Sequence, residues 1–130
     1  MIDEGLFYLL SHTTAITSIC GTRIYPSAFP PDPTYPAISY KLIGARPDPT
    51  LSTPGYQRFR YEFDCRAVDA VVAGDLRQAL RQTLEGYNGL LNDGTFLQDG
   101  QFIQTVDDFA DDPRVYRRMI EIYLFFNFSN

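Results

Sequence analysis

The chain has 130 residues, of which 45% are hydrophobic, 15% aromatic and 21% charged, and its formal net charge is −5. This length fits one domain with a sizeable core and leaves no room for two. An acidic chain gains little from counterion release, which disfavours tight binding to nucleic acid. No apolar run approaches the roughly 18 residues that a membrane-spanning helix needs, and Met1–His12 lacks the basic start of a signal peptide. The sequence therefore predicts a soluble protein made in the cytoplasm, with no membrane partner.

The N-terminal half begins with helical spacing and continues with short strands between proline-rich loops. Asp3 and Glu4 lie in the first turn of the first helix, where they complement its dipole. Gly21 is expected to end the second, shorter helix. In chain order, the predicted elements are a helix over Ile2–Ser11, a helical turn from Thr13 or Thr14 to Ile19, a strand over Arg23–Tyr25, a loop over Ser27–Pro36, a strand over Ala37–Ile43 and a loop over Ala45–Gly55.

The C-terminal half opens with the clearest strand pattern of the chain, Tyr56–Val68, in which apolar and charged residues alternate. One face of this strand should pack on helices, and the other should meet water or a partner. Asp69 is the predicted N-cap of a helix over Ala70–Glu85 that Gly86 ends. The remaining predictions are hairpin turns at Asp93-Gly94 and Asp99-Gly100, strands over Thr95–Leu97 and Gln101–Val106, an acidic turn over Asp107–Pro113 and a final strand over Arg114–Phe128.

The order of these elements predicts the fold class. Helices do not alternate one for one with strands, which favours an α+β domain with a mainly antiparallel sheet. An N-terminal helix and one longer central helix should pack on that sheet. We expect a single domain over residues 1–130, with extended loops near 27–36 and 45–55. The segment Tyr123–Phe128 is apolar on both faces, so it is either a central strand covered on both sides or a strand with one face against another chain.

The residue types argue against catalysis. His12 is the only histidine, so zinc sites that need several histidines are excluded; it is expected at an exposed helix end. No nucleophile elbow and no phosphate-binding loop occurs. Cys20 and Cys65 are expected to be buried free thiols. The sequence therefore predicts neither an enzyme nor a cofactor nor a metal site.

Charged clusters are the remaining candidates for a functional surface. The acidic cluster near residue 110 lacks the spaced ligands of an EF-hand, so we favour a solvated turn or a surface that faces a basic partner; a divalent metal is the minor alternative. For the arginines a salt-bridged sheet face is favoured, with complementary charge between subunits and DNA contact as alternatives. With four residues of the second loop, the candidate interface comprises Asp48, Pro49, Leu51, Pro54, Arg58, Arg60, Arg66, Asp107, Asp108, Asp111, Asp112, Arg114, Arg117 and Arg118.

Several short motifs occur in one order along the chain. A Gly-Thr-Arg-Ile-Tyr-Pro run at residues 21–26 follows the first helices, and Pro36-Ala37-Ile38-Ser39-Tyr40 follows a proline-bearing loop. Asp64-Cys65-Arg66-Ala67 then ends an aromatic strand, and a helix with the pattern Asp-Leu-Arg-x-Ala-Leu-Arg spans Asp75–Leu84. In this order, and over nearly the full length, the chain resembles the tail completion, or tail terminator, proteins of tailed bacteriophages.

The resemblance implies a structural virion protein at the head-proximal end of the tail. It implies a homo-oligomeric ring, usually a hexamer, that contacts the tail tube protein and a head completion (stopper) connector protein. The ring would end tube polymerisation and let duplex DNA pass through its lumen without specific binding. The alternatives at this stage are another phage neck or head-completion (connector) subunit, and a small acidic metal-binding domain.

Overall fold

The computed structural model describes residues 2–47, 56–111 and 114–127. The helices are α1 (Ile2–Ser11), α2 (Thr14–Cys20) and α3 (Ala70–Leu84). The strands are β1 (Ile24–Pro26), β2 (Ala37–Pro47), β3 (Tyr56–Ala67), β4 (Gly89–Leu90), β5 (Phe96–Asp111) and β6 (Arg114–Asn127). Among these residues, no helix combines the length and apolar content required to cross a membrane.

The six strands form one sheet in the order β1-β2-β3-β6-β5-β4. Only β1 and β2 pair in parallel; all other neighbours are antiparallel. The predicted α+β class with a mainly antiparallel sheet is confirmed. The sequence left two alternatives for the last strand, and β6 lies between β3 and β5, the central position that one of them requires.

The core lies between one face of the sheet and the helices. Alternate residues of β3 and β6 face it; Phe63, for example, is paired with Ile120, and both are fully buried. Leu76, Leu80 and Leu84 on α3 pack onto this face at helical spacing. Three aromatic rings meet at its centre, with Tyr40 5.8 Å and Tyr61 6.1 Å from the Phe63 ring.

The local signals for α3 and its ends are confirmed. The Asp69 carboxylate accepts hydrogen bonds from the backbone N–H groups of Val71 and Val72, at 2.8 and 3.3 Å. These bonds satisfy two donors that a helix N-terminus leaves unpaired. Gly86 follows the helix with a φ of 76°, a value that glycine adopts without steric cost.

Both N-terminal helices and their flanking residues also match the prediction. Gly21 caps α2 with a φ of 61° and donates its N–H to the Thr17 carbonyl. His12 is exposed at the end of α1, where its ring stacks on Tyr8 at 3.8 Å. The two cysteines are free and buried, as expected.

Two sequence-based assignments in the loops are wrong. β2 continues through Pro47, so residues 45–47 belong to a strand paired with β3 and not to a loop; the rest of that predicted loop, residues 48–55, lies outside the described residues. The predicted hairpin turn at Asp99-Gly100 is absent: β5 runs through it, with a register shift between Leu97 and Asp99. The Asp93-Gly94 turn is confirmed and connects β4 to β5.

Candidate interaction surface

The face of the sheet opposite the helices, called the open face below, collects the polar residues that alternate with the core positions. Strand alternation places the charged residues of β3 beside polar and aromatic residues of its neighbours. The open face comprises Ser39 and Lys41 of β2, Arg58, Arg60, Glu62, Asp64 and Arg66 of β3, Arg117, Met119, Glu121, Tyr123 and Phe125 of β6, and Gln104, Val106 and Asp108 of β5.

One of two buried carboxylates on the open face is Asp64, which is only 8% exposed. Its Oδ2 accepts hydrogen bonds from Nη2 of Arg66 and from Nη2 of Arg117, both at 2.9 Å. Arg117 also reaches the exposed carboxylate of Asp108 at 3.4 Å. This chain of ion pairs joins β3, β6 and β5, and it neutralises Arg66 and Arg117, two of the arginines for which the sequence favoured a salt-bridged sheet face.

Because Asp64 is buried between two guanidinium groups, we expect Asp64→Asn to lower the free energy of unfolding by about 1–3 kcal/mol. Asp108→Asn is the matched control, because Asp108 also forms an ion pair with Arg117 but is exposed. Its expected cost is below about 1 kcal/mol. Urea denaturation followed by circular dichroism measures both; equal costs would contradict the structural role of the Asp64 pair.

The second buried carboxylate is Glu121, also 8% exposed. Its Oε1 accepts two hydrogen bonds from Arg60, from Nη2 at 2.6 Å and from Nε at 2.7 Å, and its Oε2 accepts one from Gln104. The Gln104 hydrogen bond first, and then those from Arg60, lower the pKa of Glu121 below its ordinary value, although burial opposes this shift. Glu121 therefore connects β6 with β3 and with β5.

This lowered pKa gives the stability of the fold a dependence on acid pH. Glu121 stabilises the fold above the pKa that it has in the unfolded chain, and this contribution is lost as pH falls through the lower folded pKa. We expect Glu121→Gln to be less stable than the wild type at pH 7, and to lose less stability between pH 7 and pH 3. Thermal unfolding across this range measures the difference; parallel pH profiles would refute it.

Aromatic rings and guanidinium groups cover part of the open face. The Arg58 guanidinium lies over the Tyr123 ring at 4.9 Å, and that of Arg66 lies over the Phe29 ring at 4.4 Å. Arg58 thus covers part of the second apolar side of β6, where Tyr123 and Phe125 are half-buried. Between residues 27–36 and the open face, the chain forms a groove of about 410 Å³ with a mixed aromatic and charged lining.

The acidic residues predicted to form a turn lie mostly in β5, which is a correction. Asp107, Asp108 and Asp111 are paired with Arg118, Arg117 and Arg114 of β6. Asp107 lies on the helix face, where its Oδ1 contacts Nη1 of Arg77 at 2.5 Å. Consecutive strand residues point to opposite faces, and no group of three potential metal ligands comes together within the described residues.

The other candidate interface residues fall into two sets. Arg58, Arg60, Arg66 and Arg117 share the open face, whereas Arg118 lies on the helix face, 3.8 Å from Asp107. Arg114 begins β6 opposite Asp111, and its guanidinium lies over the Phe109 ring at 5.3 Å. The residues that lie outside the described part of the chain are Asp48, Pro49, Leu51, Pro54 and Asp112.

Sequence reasoning missed Glu121 and Gln104 as members of this surface. A single carboxylate within the apolar run from Met119 to Phe126 was the available signal. A charge in such a run requires a buried partner, and that partner, Arg60, is 61 residues away in the chain.

Comparison with known proteins identifies the family of this chain. Residues 4–125 match the model of the family described as Tail completion protein gp17. The chain belongs to this family of phage tail completion proteins. It is therefore a structural protein of a phage tail, located in the virion. No curated protein matches the chain.

The fold of this tail completion protein also occurs in solved structures. Sixteen chains match it. One belongs to the virion of a native gene transfer agent particle, with a TM-score of 0.65 and 16% sequence identity. The match covers 94% of this chain and 91% of that chain. At this identity the likeness establishes a shared fold, and it is consistent with the family assignment.

Proposed function

We propose that this tail completion protein forms a ring at the head-proximal end of the phage tail. The ring, expected to be a hexamer, ends polymerisation of the tail tube and provides the surface to which the head is joined. The observation that carries the proposal is the family match over residues 4–125. The matching fold in a gene transfer agent virion supports it.

The size and charge of the chain are compatible with a DNA-conducting ring. If each copy is treated as a sphere of about 18 Å radius, six touching copies enclose a hole of about 36 Å in diameter. The net charge of −5 on each chain disfavours adhesion of DNA to the lumen. Arg60, Arg66 and Arg117 of the open face are paired with carboxylates of the same chain, which limits their availability to phosphate.

The ring proposal predicts a specific assembly defect. A phage that lacks this chain should produce tubes of irregular length and heads without tails, and purified chain added to the extract should restore joining. Electron microscopy of the particles measures tube length and joining separately. If the tubes have normal length and fail only to join heads, the chain would instead be a head-completion (connector) subunit. Normal joining without the chain would refute both functions.

The predicted second loop gives a narrower test of attachment. We expect replacement of residues 48–54 by a glycine-serine linker of equal length to leave the fold intact and to impair head–tail joining. Circular dichroism checks the fold, and an in vitro joining assay checks function. A linker of the same kind at residues 30–33, beside the groove, compares the other proline-bearing loop in the same assay. Joining at the wild-type level would show that residues 48–54 are not an attachment surface.

A further inference from the structure

The sheet ends in two strand edges that no described strand covers along most of their length. β1 pairs with β2 only as far as Tyr40, so the outer edge of residues 41–47 has no strand beside it among the described residues. β4 pairs with β5 only at Phe96 and Leu97, which leaves the outer edge of residues 99–111 in the same condition. Every second residue of such an edge directs its backbone N–H and C=O outward, where another strand can pair with them.

Apolar side chains are exposed along both edges. Leu42 and Ile43 of β2 are 47% and 46% exposed. On β5, Val106 is 43% and Phe109 42% exposed. A long edge strand with exposed apolar side chains is a site for pairing with another chain. Each edge therefore offers unpaired backbone groups and exposed apolar side chains, the two features that a strand needs to pair with another chain.

The two edges carry opposite charge. Residues 99–111 of β5 contain four aspartates and no lysine or arginine, whereas residues 41–47 of β2 contain Lys41 and Arg46 and no acidic residue. Two copies that present the same edge to each other would repel. Ion pairs within one copy, between Lys41 and Glu62 and from Asp107 and Asp108 to arginines, reduce this contrast without reversing its sign. A β5 edge placed against the β2 edge of another copy is therefore electrostatically favourable.

Strand direction makes this contact antiparallel. Three antiparallel steps lead from β2 through β3 and β6 to β5, so the two edge strands run in opposite directions. Rotation about a ring axis keeps the direction of each strand relative to that axis. The β5 edge of one copy therefore meets the β2 edge of the next as an antiparallel pair, like the other pairs between the long strands of the sheet.

We propose that residues 99–111 of β5 in one copy pair with residues 41–47 of β2 in the next, joining the sheets of all copies into one closed sheet. The interface is heterologous, the type that generates rings. This inference rests on the proposed ring and names the surface through which its copies associate. The helices lie on one side of the joined sheet and the open face on the other.

Engineered disulfides test the proposed pairing directly. Cys20 and Cys65 are fully buried, so thiols introduced at the surface are the ones available for oxidation. Ile43→Cys is combined in turn with Gln101→Cys, Gln104→Cys, Val106→Cys or Asp108→Cys, to sample the registers. In assembled rings of at least one of these double-cysteine variants, mild oxidation should link neighbouring copies by disulfides. Denaturing gel electrophoresis should then show a ladder of covalent oligomers that ends at the mass of the ring. Val71→Cys with Leu90→Cys, both at exposed positions outside the two edges, is the matched control and should give no ladder.

A charge exchange tests the polarity of the contact. Lys41→Glu with Arg46→Glu makes the β2 edge acidic, and Asp108→Lys with Asp111→Lys changes the net charge of the 107–111 end of the β5 edge from −3 to +1. Each double variant alone should assemble on the order of tenfold more weakly than the wild type. In an equimolar mixture every junction of an alternating ring again joins opposite charges, so assembly should recover. Circular dichroism of each variant confirms that its monomer is folded.

The outcomes separate this inference from the proposed function. Wild-type rings without a ladder for any edge pair, or a mixture no better than its components, would overturn the edge pairing and leave the ring standing. A wild-type chain that forms no ring, alone or within isolated tails, would remove the ring and the edge pairing together. A ladder in the edge pairs with recovery in the mixture supports both.

Discussion

Gly100→Ala is expected to lower the free energy of unfolding by about 3 kcal/mol or more. A Cβ on Gly100 would overlap the carbonyl oxygen of Leu84, the last residue of α3. The Gly100 carbonyl also accepts a hydrogen bond from the Gly86 N–H at 2.9 Å, so the two backbones are held together at this point. The overlap involves backbone atoms on both sides and cannot be relieved by a change of rotamer.

Two other glycines serve as matched controls for this substitution. A Cβ on Gly44 or on Gly74 would meet nothing within 4 Å. Gly44→Ala should change stability by less than about 0.5 kcal/mol, and Gly74→Ala, within α3, should stabilise by up to about 1 kcal/mol. Denaturant unfolding of the three variants at one pH measures these differences. A wild-type midpoint for Gly100→Ala would mean that α3 and β5 do not approach each other as described.

Phe63→Ala is expected to cost about 3–5 kcal/mol, the range for truncating a buried phenylalanine. Phe63 is fully buried at the centre of β3, between the rings of Tyr40 and Tyr61 and opposite Ile120. Truncation of the Phe63 side chain leaves a cavity next to both neighbouring strands, β2 and β6. The movement of a single side chain cannot fill it.

Phe109→Ala is the control for Phe63→Ala, because Phe109 lies on an exposed part of β5 and is 42% exposed. Its expected cost is about 1 kcal/mol or less, since the exposed ring loses only the contact with Tyr116 at 4.8 Å and that with the Arg114 guanidinium at 5.3 Å. Thermal unfolding at low protein concentration, where association does not contribute, compares the two variants. Similar losses of stability would contradict the placement of Phe63 in the core.

Sequence analysis predicted well the elements whose signals are local. The Asp69 cap, the apolar stripe of α3 and the alternation along β3 lie within a few residues of the structures that they specify. Gly86 and Gly21 end their helices for the same reason. The fold class follows from the order of these elements, so it was predictable as well.

The errors have non-local causes. Asp99-Gly100 is typical of a hairpin turn, but here the glycine allows the close approach of α3, and nothing near it in the sequence indicates that. The aspartates near residue 110 resemble a solvated turn, but arginines of β6 pair with them and extend the strand. Pro47 was assigned to a loop, although pairing with Gln57 places it in β2.

The candidate interface was predictable only in part. Alternation placed Arg58, Arg60 and Arg66 on one face, and the structure has them there. Arg117 and Arg118 were grouped with them on one sheet face, yet adjacent strand residues point to opposite faces. The buried partners Glu121 and Asp64 depend on the order of strands in the sheet, which a single sequence does not specify.

The burial of both thiols, Cys20 and Cys65, determines how the protein responds to oxidising conditions. Burial raises the pKa of Cys65, and the neighbouring Asp64 carboxylate raises it further; burial also raises the pKa of Cys20. The thiolate is the form that reacts with oxidants, so both side chains stay protonated and unreactive while the fold is intact. Because both side chains are also fully buried, we expect the folded chain to form no disulfide and no oxidised cysteine when it passes from reducing to oxidising conditions.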